Sequence, residues 1–152
     1  MALHVTTQPQ DKLRAWIAPR IGTDLEQMAH DMEVLAVVDE ARPVSPLACI
    51  GYNAHFGHYL SMHVASDGNR RWLTRDVLRL IFGYAFDYKG VTRINAVVAE
   101  ANLPAQVMCL KLGFRIEATL RCGADDGTDG ILFGMLRTEC PWWQPTGDQV
   151  DG

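Results

Sequence analysis

Between residues 73 and 89, apolar side chains return every three or four positions. Val77, Leu80, Ile81, Tyr84 and Tyr88 form the stripe, and Leu78, Phe82 and Ala85 widen it. That period predicts a helix packed on a sheet, ended by Gly90. The next apolar run, Arg93–Ala99, is continuous and rich in β-branched residues, so it reads as a buried strand. A turn at 100–104 leads into a short helix at 105–112. Asn102 can cap it, and Pro104 falls in the first turn, where a missing N–H costs nothing. Gly113 stands where a left-handed residue is needed to stop it. Upstream, 33–40, 47–53 and 59–66 read as strands, with a two-proline turn at 41–46. Residues 13–18 alternate and are expected to form the first strand. Thr23-Asp24-Leu25-Glu26 has the form of a capping box and predicts a helix to about Met32, with Leu25, Met28, Ala29 and Met32 facing inward. Residues 1–11 are polar and are expected to fray.

A chain of 152 residues fits one domain, taken as 1–143. The Gly-, Pro-, Gln- and Asp-rich stretch 144–152 is expected to be a disordered tail. With 48% apolar residues the chain can pack a core. A net charge of −4 and a pI near 5.7 argue against a nucleic-acid partner. No apolar run is long enough to span a bilayer and no signal pattern opens the chain, so no membrane partner and a cytoplasmic location are expected. Cys49, Cys109, Cys122 and Cys140 have neither zinc nor redox spacing and are expected as free thiols. His55, His58 and His63 cluster without an acidic or thiol partner at ligand spacing, so no metal is expected.

The stretch Asn102-x-x-Ala105, seven further residues and then Gly113-Phe114 resembles the last signature of the GNAT (GCN5-related) N-acetyltransferases. Tyr84-Ala85-Phe86, Gly90 and Arg93-Ile94 are similar to that family's helix exit and following strand. Residues 113–121 and 129–136 look like its last two strands. The likeness runs from about Tyr59 to Trp142 and is to small, divergent members of phage or prophage type. It implies an α/β fold: a central mixed, mostly antiparallel sheet of six to seven strands, flanked by helices and splayed between the fourth and fifth strands. It also implies acetyl-CoA as co-substrate and a primary amine as acceptor, on a small molecule, a peptide N-terminus or a lysine. The family places two helices between its first two strands, and only one is evident here. The acceptor side is therefore expected to be open or completed by a partner subunit.

In the family a glycine-rich loop holds the cofactor pyrophosphate. The matching positions are Asn69, Arg70, Arg71, Trp72, Leu73 and Thr74, where Trp72 and Thr74 replace both glycines. In one reading Thr74 caps the helix and Arg70 with Arg71 supplies the missing charge. In the other, cofactor use is lost or altered, Trp72 is core, and the chain is a non-catalytic binding protein on the same fold. The remaining cofactor contacts implied are Met62, Val64, Asn102 and Ala105.

For the chemistry, Cys109 stands where relatives carry a tyrosine that serves the leaving group, although a free cysteine is more often packing. An imidazole ordinarily titrates near working pH, so His63 could take the amine proton, but alternation sets it opposite Met62 and Val64, and only one of those faces can look into the groove. His55 and His58, on a hairpin expected near the acceptor mouth, and Glu100, acting through water, are further candidate bases. Glu117 and Arg121 could orient an acceptor or form a weak cross-strand charge arrangement. Trp142 and Trp143 either form a two-fold dimer edge or fold back on their own sheet.

Overall fold

The computed structural model describes residues 2–145; of the expected tail, 146–152 lie outside the described residues. Seven strands form one sheet in the order β1-β2-β3-β4-β5-β7-β6. They are β1 (Leu3–Thr6), β2 (Glu33–Asp39), β3 (Ala48–Phe56), β4 (Tyr59–Ser66), β5 (Arg93–Ala99), β6 (Arg115–Leu120) and β7 (Gly130–Leu136). All pairs are antiparallel except β4 and β5, which run parallel. Three helices flank the sheet: α1 (Gln10–Arg20), α2 (Arg75–Gly83) and α3 (Leu103–Leu112). This is the mixed, mostly antiparallel sheet expected.

Alternation along the strands divides the core in two. Leu35, Val37, Ile50, Tyr52, Leu60, Met62 and Ile94 face α2 and α3 with Phe82, Phe86 and Phe114. Val34, Ala36, Val38, Cys49 and Ala65 face Leu13, Ile17 and Ala18 of α1. α2 continues into a π turn, Tyr84–Tyr88, in which the Lys89 N–H reaches back to the Tyr84 carbonyl at 2.9 Å. Gly90 follows at φ +73°, where the backbone turns toward β5.

The N-terminal part departs from expectation. Residues 13–18 lie in α1, not in a strand. Leu13 and Ile17, four apart, bury one side of that helix, so the local alternation was a helical stripe seen through a short window. The Arg14 guanidinium binds the carbonyls of Ala29 and Met32, which pins α1 to the loop before β2. The supposed frayed start contains β1, paired with β2 from Leu3↔Asp39 to Thr6↔Ala36. Residues 23–32 form turns rather than a helix. Asp24, not Thr23, caps a single turn through Gln27 N–H, 2.8 Å. Met28 and Met32 are buried as expected, but Leu25 is exposed.

The tryptophans fold back. Trp143 is buried and stacks on Phe86 with ring centroids 5.9 Å apart. Trp142 Nε1 donates to the Leu112 carbonyl, 2.8 Å, at the end of α3, and the Arg75 guanidinium lies over its ring. The expected dimer edge therefore offers no free tryptophan pair. No helix among the described residues is long and apolar enough to cross a membrane.

Candidate active site

β4 and β5 pair only at Tyr59↔Arg93, Leu60↔Ile94 and Ser61↔Asn95. Beyond Ser61 the two strands diverge, and the β5-facing backbone groups of β4 have no strand partner. A buried sheet normally satisfies such groups, so a splay marks a place where something else can pair with them. A groove of about 530 Å³ occupies the opening. One wall is Met62, His63, Val64 and Ser66 of β4, and the other is 96–99 of β5 with Asn102, Ala105, Met108 and Cys109.

Helix α3 is built as its sequence indicates. Asn102 Oδ1 accepts from Ala105 N–H, 3.3 Å, Pro104 lies in the first turn, and Gly113 closes the helix at φ +104°. Because Asn102 and Ala105 also line the groove, the cap places the helix N-terminus against it.

The loop at the start of α2 is different. Thr74 Oγ1 accepts from Val77 N–H, 3.2 Å, so the helix is capped as expected. Most of the loop amides, however, are spent within the loop. Asn69 N–H donates to Asp67 Oδ1, and Arg71 N–H to Asn69 Oδ1. Leu73 N–H donates to the Arg70 carbonyl, and Thr74 N–H to the Trp72 carbonyl. Four donors that could face a phosphate are thus turned inward. The two arginines separate as well. Arg70 lines the groove with Trp72, whereas Arg71 and Asn69 line another cleft of about 810 Å³ beside Asp39, Arg42 and Asp67. Leu73 packs on the main core. Trp72 is core as well as wall, and its Nε1–H is the one buried side-chain polar atom without a partner among the described residues. Such an orphan costs about 1–3 kcal/mol.

Of the candidate catalytic groups, Cys109 and His63 both line the groove and Glu100 does not. Glu100 is exposed outside the lining, and its backbone carbonyl accepts from Gln106 Nε2. Burial pushes the Cys109 thiol up to about 11. Burial holds the His63 imidazole below its ordinary pKa, while Asp125 pulls the other way. His63 Nε2 lies 2.9 Å from Asn53 Oδ1 on β3. His55 and His58 sit on the β3–β4 hairpin at the closed end of the splay, where the His58 carbonyl accepts from Thr92 and Arg93 N–H. They are not at the mouth, because β4 runs from that hairpin toward the opening. Glu117 pairs with Arg93, 2.5 Å, across Gly134, at a bulge between Ile116 and Ala118. The bulge breaks the alternation that would have set Glu117 beside Arg121.

The mouth is completed by residues that the sequence reading did not single out: Arg20, Ile21 and Gly22 after α1, and Ala124, Asp125 and Asp126 from the β6–β7 loop. They are remote from β4 in sequence, and no local pattern marks them.

Among solved structures, mutant forms of the spermidine/spermine N-acetyltransferase SpeG from Vibrio cholerae are similar to this chain at TM-score 0.68 and 13% identity, covering 90% of this chain and 96% of that one. A GNAT-family acetyltransferase from Streptococcus pneumoniae is similar at TM-score 0.63 and 17% identity, covering 89% and 99%. The chain has the GNAT fold. A ribosomal-protein-S5-alanine acetyltransferase from Vibrio fischeri is similar at TM-score 0.58 and 19% identity; the match covers 76% of this chain and only 65% of that one. No family model and no curated protein sequence matches.

Proposed function

We propose that the chain is an acetyl-CoA-dependent N-acetyltransferase acting on a primary amine. The observation that carries this reading is the splay beyond Ser61↔Asn95, which joins an unpaired strand edge, a capped helix N-terminus and an imidazole in one groove. The residues present fit the cofactor in part. Unpaired β4 backbone suits an extended amide arm, and Arg70 suits a phosphate. The inward-turned loop amides do not contribute.

Bound acetyl-CoA would supply a thioester carbonyl. His63, kept neutral by its burial, takes one proton from the substrate ammonium. The freed nitrogen lone pair then forms the C–N bond as the C–S bond breaks. The second amine proton leaves to solvent, and the thiolate departs with the C–S electron pair. A β4 backbone N–H beyond Ser61 can polarise the carbonyl oxygen. Cys109 is read as packing at the groove wall. A thiol raised to about 11 is a weaker acid than an ordinary thiol at about 8.5, so burial makes Cys109 a poorer proton donor to the leaving group than an unperturbed thiol.

The inward-turned amides favour one second reading, a binding protein on the same fold that no longer uses acyl-CoA. One experiment separates the two. The protein is incubated with acetyl-CoA and a panel of amines, including spermidine and an alanine-first peptide, and free thiol is followed while melting is measured with and without coenzyme A. Thiol release that depends on the amine, with a raised Tm, is expected. Neither thiol release nor a Tm shift would leave the binding-protein reading standing.

A further inference from the structure

We propose that Asn53 is a positioning residue: its side-chain oxygen accepts the Nε2–H of His63 and leaves the Nδ1 lone pair open to the groove as the acceptor of the amine proton. The inference rests on the reading of His63 as the base.

Register brings the pair together. In the β3–β4 ladder Asn53 stands opposite Ser61, and His63 opposite Gly51. Asn53 and His63 are therefore diagonal neighbours on one face, within reach of long side chains. Their atoms meet at 2.9 Å. Gly51, directly across from His63, has no side chain to compete for the ring, and its space is taken by Met32 and Ile17.

The backbone at Asn53 is held in place. β3 loses register between Asn53 and Phe56, and Ala54 adopts φ +51°, a left-handed conformation that an alanine rarely takes. Asp31 Oδ2 accepts the Ala54 N–H at 2.8 Å and secures that turn. Strain that the surroundings hold in place is a recurrent mark of functional positions. Here it sets the residue whose side chain reaches the imidazole.

The tautomer follows from the chemistry of the pair. A neutral imidazole has one donor and one acceptor, so an amide oxygen at Nε2 places the proton there and the lone pair on Nδ1. Nδ1 has no partner among the described residues. Because Trp72 Nε1 is the one buried side-chain N or O atom left unpaired, Nδ1 is reached by solvent. The charged and titratable groups that share the groove with the ring are Asp125 and Asp126 from the β6–β7 loop, Arg20 from the end of α1, Arg70 from the loop before α2 and Cys109 from α3, with Asp31 behind Ala54. Asp125 and Asp126 are exposed and Arg20 is at the mouth, which leaves Asn53 as the hydrogen-bonded neighbour.

The test is long-range proton–nitrogen NMR on the full chain with labelled histidine, with no cofactor present. His63 is expected as the Nε2–H tautomer above its pKa. Asn53→Leu, or Asn53→Ala if the leucine variant fails to fold, is expected to give a tautomer mixture. The same variants should lower kcat about tenfold, with KM for acetyl-CoA unchanged. Asn53→Asp should restore the tautomer, raise the His63 pKa by about one unit or more, and carry the acid limb of the kcat/KM profile to higher pH by the same amount. An Nδ1–H tautomer in the wild type, or a tautomer that Asn53→Leu leaves unmoved, overturns the proposal. The tautomer is read without turnover, so a protein that transfers no acetyl group refutes the function while this assignment is still decided.

Discussion

Two helices begin beside the same groove, and they begin differently. At α3 the cap, the first-turn proline and the closing glycine all serve the helix, and the same Asn102 lines the groove. At α2 Thr74 caps the helix, but the preceding loop consumes its own amides at Asn69, Arg71, Leu73 and Thr74. The first helix end has no backbone donor to spare: Leu103 N–H donates to the Ala101 carbonyl, Ala105 N–H to Asn102 Oδ1 and Gln106 N–H to the Asn102 carbonyl, and Pro104 has none. The second differs in bringing a charged side chain, Arg70, to the groove. Trp142 ties the two together, donating to the end of α3 and lying under Arg75 at the start of α2.

The sharpest way to break this contrast is charge reversal. Arg70→Glu should weaken coenzyme A binding by about 30-fold or more by calorimetry, because a charge-assisted bond is worth about 1.5–3 kcal/mol and reversal adds repulsion. Arg71→Glu, facing the other cleft, should change it by less than about twofold. Equal losses in both variants would mean that the arginines act as a pair and that their separation has no functional weight.

The caps give the next effect. Asn102→Ala and Thr74→Ala should each cost about 1 kcal/mol, lowering Tm by about 2–4 °C. They should part company on ligand affinity. Asn102→Ala should weaken coenzyme A binding as well, since it lines the groove, and Thr74→Ala should leave it nearly unchanged. A Thr74→Ala variant that loses as much affinity as Asn102→Ala would restore the family-like role of the α2 opening.

Cys109 should give the smallest effect. Cys109→Ala should lower turnover by less than about threefold with no change in cofactor affinity. The thiol, pushed up to about 11 by burial, should also react with iodoacetamide at pH 8 far more slowly than the exposed Cys122. Rapid alkylation of Cys109, or turnover lost in its alanine variant, would return it to the chemistry.

Legibility was uneven along the chain, for physical reasons. The region from β4 onward could be read because its signals are local. Caps, a left-handed glycine, a 3.6-residue stripe and a β-branched run each act within a few residues. The N-terminal part failed where a short window held two periods at once. Leu13 to Ala18 alternates on paper, yet Leu13 and Ile17 lie one above the other on a helix. Thr23 and Glu26 have capping-box spacing, but the segment makes only the turn capped by Asp24. Leu3–Thr6 is short and borders polar residues, so only its pairing with β2 makes it a strand. Among the groove-lining residues, Met62, Val64, Asn102, Ala105 and Cys109 were legible through the motif, whereas alternation set His63 opposite Met62 and Val64, and all three line the groove because the splay opens the edge of β4. Arg20, Asp125 and Asp126 were not legible, since they reach the groove only after α1 and the β6–β7 loop fold over it.

By itself the sequence determined the central helices and strands, the α3 cap and its stop, and the loss of both loop glycines. Those follow from dihedral preferences, periodicity and hydrogen-bonding atoms carried by neighbouring residues. Only the tertiary structure decided that Arg70 and Arg71 face different clefts, that the tryptophans close on their own core, and that Asn53 meets His63. Each of these depends on strand register and on where a loop turns, which are set by packing across the sheet and not by any residue's neighbours in the chain.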